Sequence, residues 1–195
     1  LLKLFGVPLL CLIALAGCGH EYKAIDPDMS EKVSHFEFTT QDHETLSLED
    51  LKGSWWIADF IFTNCTTVCL PMTYNMSQLQ TMLKEENIDV QLVSFSVDPD
   101  YDTPDVLKEY ASHYDADFSN WHFLTNYDFQ TIRELSIKSF RAPLRAPQPG
   151  SDQVIHDIRF FLVTPEGEVI KGYDGTNMDE VKQIVEDLKV VTAAS

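Results

Sequence analysis

The chain has 195 residues, 44% of them hydrophobic, which is enough for one compact domain with its own core. Its 31 acidic against 14 basic side chains leave a formal net charge of −17. No run of lysine or arginine interrupts that excess, which argues against a nucleic-acid-binding surface. An acidic exterior fits an extracytoplasmic domain but singles out no partner.

At the start, Lys3 supplies a thin positive charge, and residues 4–16 form an apolar run of signal-peptide length. The run is too short for a membrane-crossing helix, which needs about 20 apolar residues. It ends in Leu15-Ala16-Gly17-Cys18. An ordinary secretory signal ends in small residues and needs no cysteine. Leu-Ala-Gly-Cys resembles the bacterial lipobox, whose cysteine is acylated after cleavage. That resemblance implies a lipoprotein signal peptide at 1–17 and lipidation at Cys18. The mature protein would then be held on the outer side of a bacterial membrane, anchored to it and not embedded in it. A plain signal with a chance cysteine is the competing reading. Residues 18–31, polar with one proline, read as a short tether, and 32–195 as the folded domain.

Further elements follow in order. Residues 35–51 read as a hairpin with Gln41-Asp42-His43 at its turn, a helical turn over 48–51 and Gly53 as its close. Residues 55–62, WWIADFIF, are almost continuously apolar, the pattern of a strand buried on both faces. Over 71–86, Met72, Met76, Leu79 and Leu83 recur at helical spacing. Residues 90–97, VQLVSFSV, form the next strand, ended by Asp98-Pro99. Thr103-Pro104-Asp105 opens a second helix with a capping threonine, proline at the first position and an acid in the first turn. A short strand at 121–124, a helix over 129–140 and a loop over 142–151 with three prolines come next. Residues 158–163 and 168–171 pair as a hairpin across Thr164-Pro165-Glu166-Gly167, and 179–191 is the closing helix. Parallel strands first and an antiparallel hairpin last predict the α/β class. The layout is a thioredoxin-like fold, a central mixed sheet flanked by helices on both faces.

Of the four cysteines, Cys11 lies in the signal segment and Cys18 at the lipidation site, leaving Cys65 and Cys69. A bridge between residues four apart closes too small a loop to staple a fold. The pair is therefore read as chemical. A helix begun at Cys65 would place Pro71 in its interior, where the ring clashes and the Thr67 carbonyl loses its bond. Cys65 is expected in the strand-to-helix loop and Cys69 just ahead of the regular helix, with Pro71 in the first turn. The amides of that turn are expected to favour a thiolate.

The two sulfurs can form a redox disulfide or share a metal. Thioredoxin-type reductases use C-x-x-C, and the extra residue here makes a wider metal bite more natural. Two thiolates select copper(I) or zinc, and a single added imidazole favours copper. A structural zinc site wants four protein ligands, so zinc is the weaker reading. Six histidines are available. His20 sits in the tether, His35 and His43 in the hairpin, and His113 and His122 near the middle. His156 precedes the strand at 158–163, where thioredoxins place a proline against their cysteines. Val154-Ile155-His156-Asp157 has no proline and offers an imidazole there, although for any of the six a surface position is the simpler reading. Met72 and Met76 share a stripe with Leu79 and Leu83 and read as core, not as thioether ligands.

The sequence resembles the Sco (SenC/PrrC) family of copper-binding proteins that assemble cytochrome c oxidase. The resemblance runs from about residue 35 to the C-terminus. It rests on Phe60-Ile61-Phe62-Thr63-Asn64-Cys65 with Cys69 four on, and on Ser94-Phe95-Ser96-Val97-Asp98-Pro99 followed by Asp102-Thr103-Pro104. Trp121-His122-Phe123-Leu124-Thr125, Val154-Ile155-His156-Asp157 and Phe161-Leu162-Val163-Thr164-Pro165-Glu166-Gly167 complete it. One departure is Leu70, where the family commonly has proline directly after the second cysteine.

The resemblance implies one copper ion, copper(I) or copper(II), on Cys65, Cys69 and His156, with Asp98 near the site. Asp98 also reads simply as a turn former before a proline. The implied function is a copper metallochaperone or thiol-disulfide protein for the CuA centre of cytochrome c oxidase subunit II. A thiol-disulfide reductant or another copper carrier would be a further partner. The rival readings are a metal-free extracytoplasmic thiol-disulfide oxidoreductase and a redox or copper sensor. A peroxidase is disfavoured, since no Thr-x-x-Cys arrangement and no clearly placed arginine accompany the thiols.

Overall fold

The computed structural model describes residues 21–65 and 69–193. The expected signal peptide at 1–17, the lipidation site Cys18 and the start of the tether lie outside the described residues, as do Thr66, Thr67 and Val68 between the two thiols. Among the described residues the strands are β1 (Glu31–Lys32), β2 (Glu37–Thr40), β3 (Thr45–Ser47), β4 (Trp56–Ile61), β5 (Gln91–Ser96), β6 (Trp121–Thr125), β7 (Arg159–Val163) and β8 (Glu168–Asp174). The α-helices are α1 (Cys69–Glu85), α2 (Pro104–Ser112), α3 (Phe129–Phe140) and α4 (Met178–Thr192). They match the expected order closely.

One mixed sheet runs β1-β8-β7-β4-β5-β6-β2-β3. The centre, β4 with β5 and β5 with β6, is parallel, and β7 lies antiparallel against the other side of β4. Alternation along β4 divides the interior. Ile57 and Ile61 meet the stripes of α1, α2 and α4 on one face, while Trp56, Ala58 and Phe60 meet α3 and the N-terminal hairpin on the other. This two-sided burial is why the strand reads as an apolar run.

The second face is built around Phe140, whose ring centroid lies 5.4 Å from Phe60, 5.3 Å from Phe161 and 6.1 Å from Phe95. Edge-on and tilted packing of this kind adds to the area buried. α3 then ends with Arg141 in the left-handed region (φ 48°), which turns the chain back towards β7.

Residues 21–31 depart from the tether expectation by packing on the domain. Glu21–Ile25 is a 3-10 turn, Ile25 is buried against the α4 side, and Lys171 Nζ donates to the Ile25 carbonyl at 2.6 Å. β1 then pairs with β8 as an edge strand. The segment is polar in composition, and its few apolar anchors, Tyr22, Ile25 and Met29, carry no periodic signal.

Phe140→Ala is expected to cost about 3–5 kcal/mol of unfolding free energy, the usual penalty for deleting a fully buried aromatic. Urea unfolding of the metal-free reduced protein measures it. A loss below about 1 kcal/mol would show that the cluster repacks around the gap.

Candidate metal centre

β4 ends at Ile61, and the chain turns through Thr63 and Asn64 to Cys65, whose amide donates to the Phe62 carbonyl at 3.3 Å. Cys69 is the first residue of α1, so Pro71 falls in the first turn as expected. The Cys69 amide points back and donates to Cys65 Sγ at 3.4 Å. Both cysteines are buried and not joined in a disulfide. On the far side, β7 begins at Arg159 antiparallel to β4, which carries the preceding residues to the carboxyl end of the sheet. His156 Nε2 there lies 3.2 Å from Cys69 Sγ.

Cys65, Cys69 and His156 thus present one donor atom each, all within 4.8 Å of one another. The tautomer follows from the ring's other bond. Nδ1–H donates to the Asp157 carbonyl at 2.8 Å, leaving the Nε2 lone pair aimed at Cys69. The ring stands edge-on to Phe62, centroids 5.7 Å apart. Asp157 is clamped in turn by Arg159, whose Nε and Nη2 donate to Oδ1 and Oδ2 at 2.9 and 2.7 Å. The Arg159 guanidinium lies over the Phe161 ring.

The expected thiolate at Cys69 is overturned. Its thiol is pushed well above the usual range, first by the hydrogen bond with the Cys65 thiol and then by burial. The charges of Cys65 and Asp59 add to this, against the opposing pull of a backbone hydrogen bond at Phe62. The helix-end amides are outweighed because the sulfur is entirely enclosed. Both the Cys65 hydrogen bond and burial favour the protonated thiol at Cys69, whose Sγ lies 3.2 Å from His156 Nε2.

Two other carboxyls are buried, Asp59 hidden in the apolar run of β4 and Asp102 in the acidic turn ahead of α2. Asp102 accepts from Thr63 Oγ1 at 2.5 Å, from the Thr63 amide at 3.3 Å and from Ser96 Oγ at 2.6 Å. It ties the loop carrying Cys65 to the end of β5. Burial raises its pKa to about 6, and the Ser96 and Thr63 hydrogen bonds limit the rise. Asp59, inside β4, is fully buried, and its carboxyl oxygens make no hydrogen bond of regular geometry, Ser94 opposite it on β5 being its nearest polar influence. Burial raises it to about 7, against weaker downward pulls from Ser94 and His156.

Asp98 lies outside the three-donor group. Its carbonyl accepts from the Tyr101 and Asp102 amides, which is the turn-forming role. Its half-buried carboxyl is held upward by burial and then by Asp100 and Asp152. Asp152 Oδ2 in turn accepts from Asn64 Nδ2 at 2.8 Å, and Gln153 Nε2 donates to the Asn64 carbonyl at 3.1 Å. These bonds draw the proline-bearing loop onto the residue before Cys65. Of the other histidines, His43 pairs with Asp105 and His122 with Gln91, both away from the thiols. Met72 and Met76 are core residues on the α1 stripe.

A sheet of this topology with a dithiol and an imidazole at its carboxyl end defines a thioredoxin-like protein built for soft-metal or thiol chemistry. The family model described as SCO1/SenC matches residues 26–193, and the chain belongs to that family. A SCO1/SenC family lipoprotein from Bacillus anthracis str. Ames is similar at 43% identity and TM-score 0.81, covering 86% of this chain and 98% of that one. BsSco, described as a member of the Sco family of cytochrome c oxidase assembly proteins with a disulfide switch, is similar at 47% identity and TM-score 0.78, covering 87% and 98%. Yeast Sco1 with copper bound is similar at 28% identity and TM-score 0.64, covering 82% and 89%.

Asp59 and Asp102 hold protons more tightly folded than unfolded, where an aspartate titrates near 3.8. Their contribution to stability is complete below that value and is lost as pH rises through about 6 to about 7. Asp59→Asn is expected to melt higher than wild type at about pH 8 and to show a flatter dependence from about pH 5 upward. Thermal unfolding of the metal-free reduced protein tests this, and parallel curves for the two proteins would refute it.

Proposed function

We propose that Cys65, Cys69 and His156 bind one copper ion and that the domain supplies copper, or reducing equivalents, to the CuA centre of cytochrome c oxidase subunit II. The observation that carries this reading is the convergence of two sulfurs and one imidazole nitrogen within 4.8 Å. That donor set is soft and has a single nitrogen, which suits copper better than a four-ligand structural zinc. Copper in yeast Sco1 and the oxidase-assembly description of BsSco support the same reading.

Copper uptake replaces the two thiol protons, so the reduced pair is the receptive form. Oxidation to a Cys65–Cys69 disulfide takes two electrons and two protons to an oxidant and removes both sulfur ligands. A thiol-disulfide reductant would restore them. Metal loading and disulfide formation therefore exclude each other, in keeping with the disulfide switch described for BsSco.

Lipidation at Cys18 would keep the domain on the outer face of the membrane. There a membrane-bound acceptor meets it at high effective concentration. Among the described residues no helix is long and apolar enough to cross a membrane. The lipoprotein description of the Bacillus anthracis relative supports an anchor of this kind.

Titration of the reduced protein with copper is expected to reach one ion per chain in wild type. Cys65→Ser and His156→Ala should each weaken binding by about 100-fold or more, since each removes a ligand outright. Copper indifference in wild type, with disulfide reductase activity on insulin, would instead establish a metal-free oxidoreductase. Cys18→Ser is expected to move the protein from the membrane to the soluble extracytoplasmic fraction, and an unchanged distribution would rule out the lipid anchor.

A further inference from the structure

We propose that the groove between α3 and the segment 142–145 docks an acidic, partly apolar segment of the partner protein that exchanges copper with the site. The partner's role rests on the copper reading, and the surface itself does not. Positive charge in this acidic chain is unevenly placed. The formal net charge is −17, and all the arginines fall between residues 133 and 159. Every lysine from Lys52 onward lies against a carboxylate. Arg159 and Arg141 are likewise paired, with Asp157 and Glu31. Arg133 and Arg145 are exposed and join no ion pair among the described residues.

Local structure sets these two guanidiniums along an apolar strip. Arg133 and Ile137, with the cap residue Arg141, follow one row of α3 at spacings of four. The left-handed Arg141 reverses the chain, and residues 142–145 run back beside the helix. There the Leu144 carbonyl accepts from Arg133 Nε at 3.3 Å. Burial alternates along the segment, with Ala142 and Leu144 inward and Pro143 and Arg145 outward. The three arginines thus border a groove of about 510 Å³, to which Ile137, 44% exposed, and Pro143 give apolar surface. Arg145 also exchanges both backbone hydrogen bonds with Ile155, at 2.9 and 3.1 Å. Residues paired in this way project to the same side. Ile155, 52% exposed, therefore carries the strip on to the residue before His156.

Composition selects the occupant. Unpaired guanidiniums hold carboxylates through parallel N–H bonds, and the strip between them covers aliphatic side chains. Elsewhere the excess of acid repels such a segment, so the charge distribution that attracts it here also fixes where it lands. A bilayer surface fits less well, because these apolar residues line a recess and do not form a protruding face. A partner seated in the groove lies beside the loop that carries His156, where the ion must change hands.

The test uses the full chain carrying Cys18→Ser, so that no acyl chain contributes, with the groove intact or bearing Arg145→Gln, Arg145→Glu or Ile137→Ser. The probe is a fluorescent peptide of alternating glutamate and leucine, its control a glutamate–serine peptide of the same charge, and anisotropy reads binding. The intact groove is expected to bind the leucine peptide more tightly than the serine one, and less tightly as salt is raised. Arg145→Gln should weaken binding by about tenfold, the effect of losing one charge-assisted contact, and Arg145→Glu by more. Ile137→Ser should weaken the leucine peptide alone. Equal affinity in the intact groove and in Arg145→Glu overturns the proposal. So does a dimer of the intact chain, or its binding to phosphatidylglycerol vesicles, that Arg145→Glu abolishes, since the groove then belongs to a second copy or to the membrane. Copper stoichiometry is expected to be the same in every variant, because none alters the three donors. A chain that binds the peptide but no copper would sink the copper reading and leave the docking surface standing.

Discussion

The contact that the rest of the site depends on is the 3.2 Å approach of Cys69 Sγ to His156 Nε2. It joins a helix start to a loop 87 residues further along the chain, and only the sheet can make that closure. β7 must lie antiparallel beside β4, so that the residues entering β7 and those leaving β4 meet at the same end. The right-handed crossovers that build β4, β5 and β6 in parallel then leave that flank of β4 open for β7. The hydrogen bond from His156 Nδ1 to the Asp157 carbonyl completes the arrangement by fixing which nitrogen faces the sulfur. Without that bond either tautomer is available. With it, the acceptor is already aimed at the thiol.

Around this contact the protein has arranged its polar groups unequally. Asp102 is enclosed but fully engaged, accepting from Thr63 and Ser96, and so it holds the Cys65 loop to the strand beside it. Asp157 is likewise engaged by Arg159. Asp59 has no such partners. The first two carboxyls set position, because their bonds are directional and satisfied. Burial instead favours the protonated form of Asp59.

Much of this was legible in the sequence, for identifiable reasons. The unbroken run WWIADFIF marks a strand covered on both faces, and Pro71 confines the helix start to the vicinity of Cys69. The absent proline ahead of β7 drew attention to His156. Other features depend on tertiary context that no local pattern carries. Residues 21–31 look like a tether because their composition is polar, and only the fold provides β8 and α4 for Tyr22 and Ile25 to cover. The thiolate expected at a helix start fails because burial and the Cys65 thiol outweigh the amides, a contest of magnitudes that spacing cannot decide. Asp59 was visible as a letter within an apolar run, but its want of partners belongs to the packed structure.

The protonated Cys69 also changes how the site must work. A preformed thiolate would make the empty site anionic and open to any cation. Here burial and the hydrogen bond with Cys65 favour a protonated Cys69 thiol beside the His156 nitrogen. On the proposed copper reading, an ion enters only if its bond to sulfur repays the loss of that proton, which soft copper does far better than hard magnesium or calcium. That reading places selectivity in the deprotonation step as well as in the donor set. The enclosure that raises the thiol follows from the depth at which β4 delivers Cys65 and α1 begins.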